Sequence, residues 1–283
     1  MLKCTNIRKS YPGFTLDCSF TVPSGRISGL IGANGAGKST AFKAILGLVR
    51  RDGGTLSLFG EEKKALSEED KRRLGVVLAD AGYNPYLTVE DTILIQKAFY
   101  PAFREDFFRQ KCQELDLPLQ KLIKDFSTGM KAKLRVLCAV SHDADLLILD
   151  EPTAGLDVLA RDQILDLLRD FMAEKEERSI LISSHISADL ETLCDDFYMI
   201  DRGKIFFHEE TDRLLSEYGI LKVTEEELQQ LDLRYIRRKR KESWGYSLLC
   251  DQKRYYFENC PGITIEKAGI DELIMMMLKG EEI

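Results

Sequence analysis

The chain of 283 residues predicts an α/β fold, with a mostly parallel sheet, an antiparallel β region, an inserted helical subdomain and a small C-terminal α+β unit. Two observations predict it. Apolar strand segments alternate with helical patterns in the first 215 residues, as in parallel sheets covered by helices. A glycine-rich stretch, residues 32–40, joins one strand to a helix. We predict a main domain at 1–215, its helical subdomain at about 82–145, and an accessory domain at 216–283.

Composition narrows the class of protein. Hydrophobic residues are 44% and charged residues 31%, which is ordinary for a globular chain. The net charge of -7 argues against a nucleic-acid partner, because such binders are usually basic. The seven cysteines form no Cys-x-x-Cys pair, so we expect free thiols, with a Cys250–Cys260 disulfide as the open alternative. No apolar run approaches the roughly 20 residues that span a bilayer, so work at a membrane would need a membrane-spanning partner.

The elements of the first half are predicted from hydrophobic periodicity and from turn-forming residues. Short strands separated by Pro-Gly and Pro-Ser-Gly turns fill residues 1–31, and a helix follows Gly37. A strand pair around TLSLFG, a charged helix at SEEDKRRL and a strand at LGVVLA come next. The helical subdomain contains three helical patterns, and Thr88 is predicted to cap the first.

The second half returns to strand and helix alternation. The strand LLILD, a helix at 158–173, the strand SILISS, a helix at SADLETLC and a strand pair at FYMIDRGKIFF are predicted in that order. After residue 216 we predict a strand at LKV and a helix whose capping box pairs Thr224 with Glu227. Strands at YIRRKR, YSLLC, RYYFE and GITIEK and a final helix at DELIMMMLKG complete the chain.

The strongest functional motif is GANGAGKST, residues 32–40, which fits the phosphate-binding pattern G-x-x-x-x-G-K-[ST] between a strand and a helix. The glycines let backbone N–H groups turn toward phosphate oxygens, and the helix adds its positive N-terminal end. Lys38 is placed to reach the β- and γ-phosphates, and Ser39 to bind Mg²⁺. The residues expected to contact the nucleotide here are Asn34, Gly35, Ala36, Gly37, Lys38, Ser39 and Thr40.

Two further motifs follow apolar strands. LLILDEPTAGLD, residues 146–157, ends its strand at Asp150, whose carboxylate can hold Mg²⁺, and Glu151, which can polarise an attacking water. SSH, residues 183–185, places His185 where it could hydrogen-bond a γ-phosphate. Taken alone, an acidic strand end or a single histidine would be structural, and the phosphate loop is what favours the catalytic interpretation.

The order of these motifs, with FSTGMKAKL between the helical insert and LLILDEPTAGLD, resembles the nucleotide-binding subunits of ATP-binding cassette (ABC) transporters over about residues 1–212. The resemblance implies a RecA-like P-loop NTPase that hydrolyses ATP with Mg²⁺. It also implies a dimer of such subunits, identical or different, at the cytoplasmic face of the membrane beneath a transmembrane subunit. By the same resemblance, Tyr11 stacks on adenine, and Gly155, Leu156 and Asp157 form the D-loop.

The segment FSTGM matches the family's signature sequence, which binds the γ-phosphate of ATP held by the other subunit. Ser127 and Gly129 are retained, whereas Phe126, Thr128 and Met130 depart from the usual Leu-Ser-Gly-Gly-Gln. A second departure from the family's pattern is Ala79, which stands at the position where the family has a glutamine that contacts the metal.

The neighbouring Asp80 either takes over the Mg²⁺ contact or is a solvated loop residue, and the sequence leaves both open. YPAF at 100–103, FSTGMKAKL and GAGKST are similar to the ABC-2-type exporter branch, several members of which move peptides. A soluble single-cassette ATPase with a regulatory role is the alternative. The basic run at 237–241 is interpreted as a solvated strand edge rather than a lipid or nucleic-acid patch, and Met275–Met277 as packing.

Overall fold

A computed structural model describes residues 1–185 and 187–283. Strand bounds, in chain order, are β1 Leu2–Tyr11, β2 Phe14–Val22, β3 Ile27–Ile31, β4 Gly53–Leu58, β5 Glu61–Glu62, β6 Leu74–Val77, β7 Leu146–Asp150, β8 Ser179–Ser183, β9 Asp196–Asp201, β10 Lys204–Glu210, β11 Gly219–Val223, β12 Ile236–Lys241, β13 Tyr246–Cys250, β14 Thr264–Lys267 and β15 Glu281–Glu282. Helix bounds are α1 Lys38–Ile45, α2 Glu68–Arg72, α3 Val89–Phe99, α4 Glu105–Glu114, α5 Thr128–Val140, α6 Val158–Glu174, α7 Ser187–Leu193, α8 Thr211–Glu217, α9 Glu225–Gln230, α10 Lys253–Asn259 and α11 Ile270–Lys279, with a 3₁₀ turn at Ile123–Asp125.

The central sheet has the strand order β10-β9-β3-β8-β7-β6 and is parallel except for the pairing of β10 with β9. Every residue of β3, β7 and β8 is buried. Continuous apolar runs suit strands that are covered on both faces, because neither face meets water. This confirms the mostly parallel sheet predicted from the sequence.

A second, antiparallel sheet has the order β2-β1-β4-β5 and forms the predicted antiparallel region. Its apolar face shares a core with α1 and with one face of the central sheet, where Phe42, Leu30 and Ile148 are all fully buried. Helix α1 therefore lies between the two sheets. This placement fixes the loop that precedes α1, which is the predicted phosphate loop.

The helical subdomain contains α3, α4 and α5, as the periodicity predicted. Thr88 caps α3 in a reciprocal capping box with Asp91, which confirms that prediction. Helix α5 approaches β6 so closely that a Cβ at Gly75 would lie 2.4 Å from the backbone oxygen of Ala139. Gly75 thus allows the signature-bearing helix to pack directly on the parallel sheet.

The C-terminal sheet has the order β14-β11-β13-β12-β15, and its two faces join different cores. One face packs with Tyr256 in a small separate cluster. The other, through Ile220 and Leu249, joins the large core of the main domain together with Leu273 and Met276 of α11. The boundary predicted between residues 215 and 216 falls within α8, and apolar packing is continuous across it.

One predicted strand is wrong, because RYYFE lies in helix α10. Its aromatic residues favour a strand by composition, but Tyr256 alone in this helix is buried, as expected for one face of a helix. The Tyr256 hydroxyl donates to the backbone oxygen of Asp232 at 2.7 Å and anchors that face. The capping box of Thr224 and Glu227 is confirmed at α9.

The basic run of residues 237–241 is β12, and acidic partners neutralise most of its charge. Arg237 pairs with Asp251, Arg238 with Glu282, Lys239 with Glu281 and Arg240 with Glu242. The interpretation as a strand edge is wrong, because β12 pairs with β13 on one side and with the short β15 on the other. All seven cysteines are free, so the Cys250–Cys260 disulfide is absent. Within residues 1–185 and 187–283, no helix has the length and apolar character needed to span a membrane.

Candidate nucleotide-binding site

The glycine-rich loop leaves β3 and delivers the chain into α1 at Lys38. Gly35 and Gly37 have φ of 81° and 118°, which L side chains rarely adopt, so these positions require glycine. The Lys38 ammonium donates to the Gly32 oxygen at 2.6 Å and thus lies inside the curl of the loop. The loop opens into a cavity of about 310 Å³, lined by Phe14, Ala33, Asn34, Gly35, Gly37, Lys38, Ser39, Thr40, Ala79 and Glu151.

Ala36, the remaining predicted loop residue, is buried and lines an adjoining cavity of about 290 Å³ together with Phe14 and Asn34. The structure therefore brings all seven predicted loop residues to one connected region beside α1. Together with the helix N-terminus, such a loop forms a site for the phosphates of a nucleotide.

The end of β7 places two carboxylates in different environments. The Ser183 hydroxyl donates to Asp150 Oδ1 at 2.6 Å, and Asp150 is buried. Glu151 has φ of 51°, unusual for a residue with a side chain, and its N–H donates to Ser183 Oγ at 3.0 Å. Sequence reasoning did not single out Ser183, although it belongs to the SSH motif. It holds the Asp150 carboxylate and the backbone of Glu151.

Glu151 lies between Lys38 and His185. Its Oε1 is 3.3 Å from the Lys38 ammonium, and its Oε2 is 2.6 Å from His185 Nδ1. The side chains of Lys38 and Glu151 are only 6% and 14% exposed, so this pairing is partly shielded from water. Glu151 Oε1 is buried and makes no hydrogen bond, because its contact with Lys38 is an ion pair without hydrogen-bond geometry. The predicted catalytic residues Glu151 and His185 are therefore in contact with each other and next to the phosphate loop.

The signature and D-loop residues form a second group. Ser127 caps α5 and accepts from the Met130 N–H at 3.2 Å, and Asp157 caps α6 and accepts from the Ala160 N–H at 2.8 Å. A Cβ at Gly129 would lie 3.2 Å from that of Ala160, so the two helix N-termini are adjacent. Among the described residues, no hydrogen bond or ion pair joins this group to the phosphate loop of the same chain.

Two aromatic residues of the β1–β2 hairpin differ, because only one of them lines the site. Tyr11 is 42% exposed, with the Lys9 ammonium 5.5 Å from its ring centroid. Phe14, which sequence reasoning missed, lines both cavities, and its Cζ would lie 3.0 Å from a Cβ at Gly37. Its signal in the sequence is an aromatic residue at the exit of the Pro12-Gly13 turn, three positions after Tyr11.

Asp80 has a partner of its own. It pairs with Lys43 at 2.6 Å, and this hydrogen bond holds the pKa of Asp80 below its usual value. Lys43 lies one helical turn after Ser39, on the same face of α1. The carboxylate therefore lies over the helix face that carries the predicted metal ligand, while Ala79 lines the cavity itself.

The donor set fits Mg²⁺ bound together with a nucleotide. A serine hydroxyl at the cavity and a buried carboxylate beside it are hard oxygen ligands, and Mg²⁺ usually takes one or two of these plus phosphate oxygens and waters. Within the described residues, no group of three or more His, Cys, Asp or Glu side chains is placed to hold a metal without a nucleotide.

A glycine-rich loop between β3 and α1, acidic residues at the end of β7 and a parallel sheet define a P-loop NTPase fold. A family model described as ABC transporter matches residues 16–154. The lantibiotic transport ATP-binding protein SrtF of Streptococcus pyogenes is 32% identical over 216 residues, covering 75% of this chain and 92% of the relative. The chain belongs to the family of ABC transporter ATP-binding proteins.

The Nod factor export ATP-binding protein I of Burkholderia lata is 36% identical over 196 residues, 66% of this chain. The match spans less than two thirds of that relative, 62% of its length. A solved structure of the ATP-binding subunit of an ABC transporter superposes with a TM-score of 0.67 at 29% identity and covers 76% of this chain and 91% of that one. The two named relatives are ATP-binding proteins of an export and a transport system.

Proposed function

We propose that this chain is the ATP-binding and ATP-hydrolysing subunit of an ABC exporter and acts as one of a pair of cassettes. The observation that carries the proposal is the contact series from Lys38 to Glu151 to His185 at the mouth of the phosphate loop. A loop that only binds nucleotide has no need of a carboxylate and an imidazole held next to its lysine. A hydrolase needs both, since water must lose a proton as it attacks.

Nucleotide binding rests on the loop and on Lys38. When ATP enters, its phosphates replace the Gly32 oxygen and Glu151 as partners of the Lys38 ammonium, which is already directed into the loop. Ser39 and Asp150 are the residues proposed to hold Mg²⁺, with Asp80 as a further candidate. When bound, Mg²⁺ neutralises phosphate charge as the terminal phosphoryl group is transferred.

Glu151 is proposed to accept the proton of the water that attacks the γ-phosphate, as the bond between the γ-phosphorus and the bridging oxygen of ADP breaks. His185 positions this carboxylate through Nδ1. Because a neutral imidazole carries a single N–H, His185 cannot donate to Glu151 and to the γ-phosphate at once. Its proposed contact with the γ-phosphate therefore requires either a protonated ring or release from Glu151.

The second half of the site is proposed to come from another cassette, of the same or a different chain. Ser127 and Gly129 stand at the N-terminus of α5, where backbone N–H groups attract phosphate. Asp157 at the start of α6 lies beside them. Head-to-tail pairing of two cassettes would place this group against the γ-phosphate held by the partner's loop, and Tyr11 would stack on the adenine.

Export and location follow from the family. The relatives named above are ATP-binding proteins of export or transport systems, so we infer a transmembrane partner, an amphipathic or peptide cargo, and a position at the cytoplasmic face of the membrane. The test is affinity capture of the tagged chain from detergent-solubilised native membranes, with mass spectrometry. A stoichiometric polytopic membrane protein is expected. Recovery of the chain with soluble proteins alone would overturn the exporter assignment in favour of a soluble regulatory ATPase.

Hydrolysis is tested separately with the purified chain. Mg²⁺-dependent release of phosphate from ATP is expected, and Lys38→Ala should abolish ATP binding because the cation that faces the phosphates is removed. Lys64→Ala, an exposed lysine outside this cavity, is the matched control. Full hydrolysis by Lys38→Ala would show that the activity does not come from this loop.

A further inference from the structure

Helix α7 begins two residues after His185, and its inner face is fixed to the loops around the site. Asp189, which is fully buried on α7, accepts from the Thr153 hydroxyl at 2.6 Å. It also forms an ion pair with Arg161 of α6. Thr153 follows Glu151 by two residues, and Arg161 follows Asp157 by four. A buried carboxylate with both partners in place holds its helix in one position, because losing Arg161 would leave its charge uncompensated and losing Thr153 would remove a hydrogen bond.

The outer side of α7 is held by the C-terminal unit. The Ser187 hydroxyl donates to Asp271 Oδ2 at 2.7 Å, and Glu191 Oε1 accepts from the Ile270 N–H at 2.6 Å. Both partners belong to the first turn of α11. The acceptor Glu191 thus satisfies an N–H that α11 leaves free, and its charge suits a helix N-terminus. Gly269 permits the approach, since a Cβ there would lie 2.8 Å from Glu191 Oε1.

Apolar packing joins the same two helices. Leu190 and Leu193 of α7 are buried in the core that also holds Ile270, Leu273 and Met276 of α11. Helix α7 has only seven residues, which is too short to be stable without tertiary contacts. Its position therefore depends on both neighbours: the loops after β7 on one side and α11 on the other.

We propose that the C-terminal unit serves the cassette by positioning His185 through α7, and that Asp271 is the positioning residue of this contact. The proposal rests on the proposed function, because it concerns turnover at the same site. Asp271 and Ser187 touch neither the phosphate loop nor the predicted metal ligands. Loss of their hydrogen bond lets the start of α7 move, and with it His185, which holds Glu151.

The expected kinetic result is a lower kcat with an unchanged KM for ATP. The phosphate loop binds ATP through residues that α11 does not contact, so binding is preserved. Removal of one hydrogen bond that orients a catalytic group is expected to lower kcat about three- to ten-fold. Ser187→Ala and Asp271→Ala should lower kcat by the same factor, and the double variant should be no slower than either single variant, because both remove one contact.

The experiment measures steady-state ATP hydrolysis by the full chain for the wild type, the two single variants and the double variant. Glu258→Gln, an exposed carboxylate of α10 that pairs with Arg254, is the control for a change of charge in the same unit, and its kcat should match the wild type. Thermal unfolding of each variant shows whether the fold is kept.

Three results overturn the proposal: unchanged kcat in Asp271→Ala, an effect on KM alone, or losses that multiply in the double variant. A folded wild-type chain that binds ATP but never hydrolyses it would instead refute the proposed function. A chain that hydrolyses ATP at the same rate in all four forms would refute the positioning role alone.

Discussion

Replacing Glu151 by glutamine tests the assigned base directly. The amide keeps the size of the side chain and an oxygen that can accept from His185 Nδ1, which is 2.6 Å from the carboxylate. It cannot take up the proton of an attacking water. A positioned general base contributes at least about 10²-fold to a rate, so kcat should fall by about 10²-fold or more, equivalent to about 2.7 kcal/mol.

Binding of ATP should change in the opposite direction. Glu151 competes with phosphate for the Lys38 ammonium across 3.3 Å, and the amide removes that competition. An ion pair of this kind is worth about 1 kcal/mol, so the Kd for ATP should fall by about five-fold. With binding kept and hydrolysis lost, ATP should hold two chains together as a stable dimer.

The assays are single-turnover phosphate release, calorimetric titration with ATP, and light scattering after size exclusion with ATP and Mg²⁺. Glu177→Gln, an exposed carboxylate that lines neither cavity, controls for a simple loss of one charge. Hydrolysis by Glu151→Gln at a rate near that of the wild type would remove Glu151 from the mechanism. Weaker ATP binding would contradict the competition for Lys38.

Three further outcomes are expected. Asp80→Ala should raise the Mg²⁺ concentration for half-maximal hydrolysis, with Lys43→Ala as control for their ion pair, and an unchanged Mg²⁺ dependence would exclude Asp80 as a metal ligand. Burial lowers the pKa of His142. Below about pH 6.5 the unfolded chain therefore takes up a proton that the folded chain resists, so the free energy of unfolding should decrease as the pH is lowered. Chemical denaturation should show a smaller decrease in His142→Gln, and equal slopes would refute this. All seven cysteines lie in the described residues, and only Cys260 is not buried. A thiol reagent should therefore label one cysteine in the native protein and seven after unfolding. More than one labelled cysteine in the native protein would contradict the burial.

The sequence predicted those strands, helix starts and loops that depend on residues close together along the chain. The apolar run before Asp150 gave a buried parallel strand, and Thr88 gave a helix start. The phosphate loop was predictable because its glycines, lysine and serine act within nine consecutive residues. Composition failed for RYYFE, since the buried position of Tyr256 depends on a partner 24 residues away.

Contacts between distant segments could not be predicted in this way. Phe14 enters the site because a turn of β1 and β2 folds over the phosphate loop. Ser183 holds the Asp150 carboxylate and the Glu151 backbone because β8 is the neighbour of β7. The contact of Ser187 with Asp271 joins residues 84 positions apart, and no periodic pattern encodes such a pairing. The predicted domain boundary stays a prediction; it falls within α8, whose buried Leu214 belongs to the large core.

The central claim is that each catalytic site combines the phosphate loop of one cassette with the signature segment of another. It is tested most directly by mixing two inactive variants. Lys38→Ala removes the phosphate-binding cation, and Ser127→Asp keeps a helix-capping residue on α5 while placing a negative charge toward the partner's γ-phosphate.

Neither variant alone contains an intact site, but a mixed pair contains one. We expect little hydrolysis from either chain and recovery to about a quarter of the wild-type rate in an equimolar mixture, since half of the pairs are mixed and each has one intact site. A mixture that stays inactive, or a Ser127→Asp chain that hydrolyses ATP unaided at the wild-type rate, would contradict the shared site.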